Sequence, residues 1–205
     1  MRKLIGPILF SWLSATVSVP AFAQVKIALA GPMTGANASF GDQLKAGAEA
    51  AVAEINAKGG IRGERLELVV ADDVCDPRQA VSVANKLIAD GVRFISGHFC
   101  SGSTLPASDV YAEAGAVIIT VSTNPKITER GIKTLFRIGG RDDQQGPTAA
   151  GFIASNFAGR RVAIVNDKSA FGSGLAGEVR GRLVSAGQQI VLDTCLLYTS
   201  DAADE

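Results

Sequence analysis

The chain has 205 residues, 47% of them hydrophobic, with 20 basic and 20 acidic side chains and zero formal net charge. That length is enough for an α/β domain with a real core. Balanced charge, with no arginine-rich run and no aromatic stacking stripe, argues against a nucleic-acid or anionic-membrane surface.

Residues 1–23 read as a targeting segment. Arg2-Lys3 is a short basic start, residues 4–17 are mostly apolar, and Ala21-Phe22-Ala23 is an A-x-A cleavage site. Gln24 is therefore expected to begin the mature chain. No second apolar run of bilayer length follows, and no lipobox cysteine precedes Gln24, so an exported, soluble protein is expected.

Residues 25–30 read as a first strand. Residues 31–35 form a turn, 36–40 a loop, and 41–58 a helix whose inner face is Leu44, Ala48, Ala51, Val52 and Ile55. Gly59 or Gly60 suits its left-handed cap. Residues 66–71 are a second strand. Asp76 caps a helix opened by Pro77, with Val81, Ala84, Leu87 and Ile88 expected to be buried. Residues 92–95 are a third strand and 106–114 a helix. Residues 116–120 are a fourth strand, ending in the polar turn 121–125. A short strand at 135–138 is followed by a helix from Gln145 through Phe157. A strand at 162–165, a loop at 166–171, a helix at 173–186 and a strand beginning at 189–192 complete the series. Strand and helix alternate at βα spacing, which predicts an α/β fold: a mostly parallel, doubly wound sheet with helices on both faces. In such sheets ligands bind beyond the strands' C-terminal ends. Phe40, residues 100–103, residues 122–124 and Phe171 all follow strands and are expected on that rim.

The chain is organised around Gly97-His98-Phe99-Cys100-Ser101-Gly102-Ser103-Thr104. A strand runs into this small-residue turn and a helix runs out. Free backbone N–H groups at a helix start, with the hydroxyls of Ser101, Ser103 and Thr104, suit a small anion such as a carboxylate. Binding without catalysis is expected.

Export places Cys75, Cys100 and Cys195 in an oxidising compartment. Cys75 and Cys100 each follow a strand and would share one edge of a parallel sheet. A disulfide there would stabilise by roughly 3 kcal/mol in the chain-entropy model. The alternative is a Cys100 nucleophile with His98, the only histidine, as its base. No dinucleotide fingerprint, phosphate loop, G-x-S-x-G elbow, or two-His or CxxC metal pattern occurs, so no cofactor or metal is expected. Asp72, Asp73 and Asp76 read as capping and solvating acids rather than a cation site.

Residues 24–194 resemble the N-terminal part of the periplasmic leucine/isoleucine/valine-binding proteins of ABC transporters. The resemblance rests on Gly41-Asp42-Gln43, on Ala53-Glu54-Ile55-Asn56-Ala57-Lys58-Gly59-Gly60-Ile61 and on Asp72-Asp73-Val74-Cys75-Asp76-Pro77. It continues through Gly97-His98-Phe99-Cys100-Ser101, Pro106-Ala107-Ser108-Asp109 and Gln145-Gly146-Pro147-Thr148-Ala149-Ala150. It implies a type I periplasmic binding fold of two lobes closing over an amino acid, an inner-membrane ABC permease as partner, and a Cys75–Cys100 disulfide. Ser101 matches the serine that binds the ligand carboxylate. Ser122 and Thr123 match the turn that serves ammonium and carboxylate, and Phe99 matches a side-chain-pocket residue. Cys100 belongs to the same ligand-binding block. Phe40 and Phe171 stand where the family often has tyrosine. The resemblance puts the acidic partner of the ammonium in the second lobe. Alternatives on the same fold are another amino acid, an amide or an aromatic acid as ligand, or a periplasmic sensor domain.

Residues 195–205 break the preceding pattern and resemble the translation of a transposase-type sequencing-library adapter. The expected organisation is a signal peptide at 1–23, a ligand-binding lobe at 24–140, the start of a second lobe at 141–194, and a non-native tail at 195–205. On that expectation the fragment binds weakly or not at all.

Overall fold

A computed structural model of the chain describes residues 24–196. The expected targeting segment with its cleavage site, and residues 197–205 of the expected tail, lie outside the described residues. In chain order the elements are β1 (Gln24–Gly31), α1 (Ala38–Ala57), β2 (Arg65–Asp72), α2 (Pro77–Ala89), β3 (Phe94–Gly97), α3 (Ser101–Glu113) and β4 (Val117–Thr120). They continue as α4 (Lys126–Glu129), β5 (Leu135–Arg137), α5 (Asp142–Asn156), β6 (Val162–Asn166), α6 (Ala170–Ser185) and β7 (Ile190–Cys195).

The first five strands form one sheet in the order β2-β1-β3-β4-β5, and every neighbouring pair is parallel. Right-handed crossovers decide where the helices go. The step from β1 to β2 runs opposite to the steps from β2 to β3 and from β3 to β4. So α1 lies on one face, while α2 and α3 lie together on the other, packed on each other. The core fills the α2/α3 side. Ala28, Ile95, Ile118 and Leu135 align across the sheet in register and meet Ala80, Ala84, Leu87, Ala107 and Tyr111. Residues one step along each strand point the other way. There α1 packs chiefly on β1 and β2, and Phe94, Ile119 and Phe136 stay exposed. Parallel sheets are normally covered on both faces, so this bare apolar strip is unusual.

The remaining strands, β6 and β7, form a separate two-stranded parallel sheet. Its small core is Ala150 and Ile164 with Ala176 and Leu183. Helices α5 and α6 approach closely at Gly146, where an added Cβ would lie 3.1 Å from the Val179 nitrogen. The two sheets meet through Asn124, whose Nδ2 donates to the Ala170 carbonyl at 3.0 Å. Cys195, expected to start the tail, is the last residue of β7 and pairs in register with Asn166.

Four helices begin earlier than their sequence signals suggested. Helix α1 starts at Ala38, α3 at Ser101, α5 at Asp142 and α6 at Ala170. Pro106 and the Gly-Pro pair at 146–147 read as starts, yet both prolines lie inside their helices. In α3 the true first turn is Ser-Gly-Ser-Thr, small residues that serve equally in turns. Helix α2 behaves as read: the Asp76 carboxylate accepts from the N–H groups of Arg78 and Gln79, both at 2.8 Å. Its buried face is Ala80, Val83, Ala84 and Leu87, with Val81 and Ile88 only half-buried. Ala51 of α1 is exposed rather than inward. The single turn α4 had no periodic signal to announce it.

Candidate functional site

The sheet reverses direction between β1 and β3. At such a point the loops leaving the two strands diverge and open a crevice. The β1 loop is pinned by Asp72, which accepts from the Met33 N–H at 2.9 Å and from the Thr34 hydroxyl at 2.5 Å. Burial alone would raise the Asp72 carboxyl; hydrogen bonds from Thr34 and from the Val74 and Met33 amides outweigh it and hold it below the usual range. Phe40, in the first turn of α1, stacks on Phe99 with ring centroids 4.7 Å apart and planes at 19°. The pair forms an apolar wall beside the turn, and Phe40 keeps 44% of its surface exposed.

Helix α3 begins at Ser101 on the far side of Phe99. The Ser103 and Thr104 N–H groups both turn back to the Cys100 carbonyl, at 3.0 and 2.9 Å. The Ser101 and Gly102 N–H groups make no hydrogen bond among the described residues, as the geometry of a helix start requires. Ser101 is buried. Its hydroxyl accepts from the Asn124 N–H at 3.4 Å, leaving its own proton to donate. This is a compact donor set for one carboxylate, aided by the positive end of the helix dipole.

The hydroxyls of Thr104, Thr120 and Ser122 are committed inside the protein. Ser122 Oγ lies 2.6 Å from Thr104 Oγ1, 2.8 Å from the Phe99 carbonyl and 3.1 Å from the His98 carbonyl. Thr120 donates to that same His98 carbonyl at 2.7 Å. The Ser122 hydroxyl is thus spent on holding the turn, and with it that of Thr104, expected from the sequence to face an anion. Ser103 Oγ is buried without a hydrogen-bond partner among the described residues. Thr123 is half-buried, and its carbonyl accepts from the Asp142 N–H at 3.0 Å.

Cys100 is bonded to Cys75, with Cα atoms 5.5 Å apart. This overturns the alternative of a Cys100 nucleophile. His98 is no base for it either: the ring is fully buried between Asp73 and Tyr111. The three acids read as capping residues take separate positions: Asp72 on the β1 loop, Asp73 on His98, and Asp76 on α2. Phe171 does not join the Phe40–Phe99 stack. It sits at the start of α6 and lines a groove of about 420 Å³ with Ile164, Leu175 and Val179. The contact of its neighbour Ala170 with Asn124 links the start of α6 to the turn.

Asp142 escaped notice in the sequence. It starts α5 beside the 121–125 turn, fully buried, and neither carboxylate oxygen has a hydrogen-bond partner among the described residues. Burial raises its carboxyl, an effect that the nearby Thr123 hydroxyl and the charge of Arg137 only partly offset. Arg137 itself donates to the Asn124 carbonyl at 2.9 Å. The only sequence signal was an acid following the glycine pair at 139–140, too common a pattern to stand out.

Residues 24–203 match the periplasmic binding protein family. An amino acid binding protein of Pseudomonas aeruginosa is 52% identical over 178 residues, which is 86% of this chain and 48% of that protein. The leucine-, isoleucine-, valine-, threonine- and alanine-binding protein of the same organism is 46% identical over 190 residues, 89% of this chain and 51% of its own length. Among solved structures, the branched-chain amino acid transporter substrate-binding protein of Streptococcus pneumoniae, in complex with isoleucine, superposes with a TM-score of 0.79 at 28% identity. That match covers 88% of this chain and 52% of the other. The chain spans about half the length of the relatives it matches.

Proposed function

The chain belongs to the periplasmic binding protein family, and we propose that it carries the carboxylate-gripping half of a branched-chain amino acid site in an extracytoplasmic solute-binding protein of an ABC importer. The observation that carries this reading is the start of α3. The Ser101 hydroxyl and the free N–H groups of Ser101 and Gly102 converge there, next to the Phe40–Phe99 wall. A zwitterionic amino acid with a branched aliphatic tail needs donors for its carboxylate and a dry wall for its tail. Phe99 precedes Ser101 by two residues and holds the stacked Phe40 of α1 beside the donors. Thr123 and the Ser122 carbonyl are assigned to the ammonium end, and Phe171 to the far wall across the junction with α6. Residues 24–140 and 141–194 are then the first lobe and the start of the second, and the export signal at 1–23 delivers the protein to the periplasm, where a permease takes the ligand.

The test suits a half site, because it detects weak binding. Amide resonances of the isotopically labelled chain are followed during titration with leucine, isoleucine and valine, and with leucinamide as a control lacking the carboxylate. Shifts confined to Ser101, Gly102 and their neighbours, absent with leucinamide, are the expected result. A hydrogen bond to a charged group contributes about 1.5–3 kcal/mol, so Ser101→Ala is expected to weaken binding by roughly tenfold or more. Shifts scattered away from α3, or none, would overturn the assignment.

A further inference from the structure

Three fully buried polar side chains stand behind the site, and the ligand contacts use none of them: Asp73, His98 and Tyr111. His98 Nδ1 lies 2.5 Å from Asp73 Oδ2, and His98 Nε2 lies 3.0 Å from the Tyr111 hydroxyl. Asp73 Oδ1 also accepts from the Cys75 N–H at 2.9 Å. The partners dictate the proton positions. A carboxylate only accepts, so Nδ1 carries a proton, and Nε2 pairs with the Tyr111 hydroxyl. Burial, together with the charge of Asp73, raises the Tyr111 phenol, which keeps it a donor. Every ring nitrogen is thereby satisfied in an interior where an unpaired polar group is costly.

The line continues past the ring. The His98 carbonyl accepts from Thr120 and lies within hydrogen-bond reach of the Ser122 and Thr104 hydroxyls. Phe99 and Ser101 follow directly in the chain. At its other end the Asp73 carboxylate holds the backbone of Cys75. The same two loops, one carrying Cys75 and one carrying Cys100, are joined by the disulfide. Two cross-links, one covalent and one built of hydrogen bonds, therefore run side by side between the β2 loop and the β3 turn.

We infer that His98 is a positioning residue: the Asp73–His98–Tyr111 chain is a second strut, parallel to the Cys75–Cys100 disulfide, that keeps the Phe99–Ser101 and Ser122–Asn124 backbones in binding geometry when the disulfide is reduced. Calling that backbone the ligand site rests on the proposed function; the strut itself does not. The tests contain no ligand, so a chain that binds no amino acid leaves them intact.

His98 is the chain's only histidine, so ring-nitrogen resonances of the labelled chain report on it without assignment. They are expected to show a proton on Nδ1, and Tyr111→Phe is expected to shift Nε2 alone. An Nδ1 without a proton would overturn the network. Amide hydrogen exchange at Ser122 and Asn124 then compares four proteins: the parent, Cys75→Ser with Cys100→Ser, Tyr111→Phe, and all three changes together. Each partial variant is expected to keep most of its protection. The combined variant is expected to lose at least about fivefold more than the product of the separate losses, as coupled neighbours do. A simple product, or a collapse of protection on removing the disulfide alone, would refute a second strut. Tyr111→Phe changes no shape, so the comparison survives if harsher substitutions at His98 fail to fold.

Discussion

Gly97 ends β3 directly beneath the turn that carries the site, and replacing it with alanine tests how tightly that turn is built. The residue has φ +127°, a conformation that side chains rarely adopt, and a Cβ there would fall onto the Ala30 carbonyl, 2.9 Å from its carbon. Ala30 is its register partner on β1. An alanine would keep the backbone strain, at about 1–3 kcal/mol. It would also force β3 away from β1, weakening one or two ladder hydrogen bonds at about 1 kcal/mol each. The sum is about 2–5 kcal/mol, a large share of the total stability of a domain this size. Urea unfolding of the parent, Gly97→Ala and Gly47→Ala measures it. With a slope of about 1–3 kcal/mol per molar urea, the Gly97→Ala midpoint should drop by at least about 0.7 M. Gly47 lies within α1 with nothing within 4 Å of a built Cβ, so its alanine variant should gain about 0.5–1 kcal/mol. An unchanged midpoint for Gly97→Ala, against a raised one for Gly47→Ala, would refute the close approach of β1 and β3.

The raised carboxyl of Asp142 means that the folded chain binds its proton more tightly than the unfolded chain does. Its contribution is most favourable below the ordinary aspartate range and is lost as pH climbs through the raised value. Asp142→Asn should therefore be more stable than the parent near about pH 7, with the advantage fading toward about pH 4; urea melts at both pH values check this, and a gap that widens in acid contradicts it. Asp76→Ala removes both bonds that cap α2 and should cost about 1 kcal/mol by the same melts. The exposed strip of Phe94, Ile119 and Phe136 should bind an apolar-sensing fluorescent dye, and Phe94→Lys with Phe136→Lys should remove most of that signal; an undiminished signal would locate the exposed apolar surface elsewhere.

Much of the first sheet was legible because parallel strands write themselves as short β-branched runs between glycines. Residues 25–30 and 66–71 fall within β1 and β2, and the Asp76-Pro77 start of α2 is a local signal that tertiary contacts had no reason to override. Helix starts were harder. At Ser101 and Ala170 the first turn is made of residues with equal claims to turn and helix, and what tips them toward helix is tertiary: packing of α3 on α2, and the contact of Ala170 with Asn124. The buried face of α2 was misplaced for a related reason. Val81 and Val83 are equally apolar, and only the position of α3 decides that Val83 goes in.

The candidate site was legible as a place more than as a mechanism. A run of serines and threonines around a turn invites the reading that their hydroxyls face a ligand, yet each hydroxyl has one proton to give. Thr120 gives its proton to His98, while Thr104 and Ser122 share theirs among each other and the carbonyls of His98, Phe99 and Cys100. These hydroxyls do the work that a strand partner would do if the sheet continued past β3. With Thr104, Thr120 and Ser122 committed inward and Ser103 buried, the start of α3 still offers an anion the Ser101 and Gly102 amides and the Ser101 hydroxyl. Recognition by main-chain amides depends on backbone position, which no side-chain substitution at Ser122 or Thr104 can reproduce. On the proposed reading, the polar residues behind the turn act on binding through the geometry they impose, and the fully buried His98, held between Asp73 and Tyr111, is one of them.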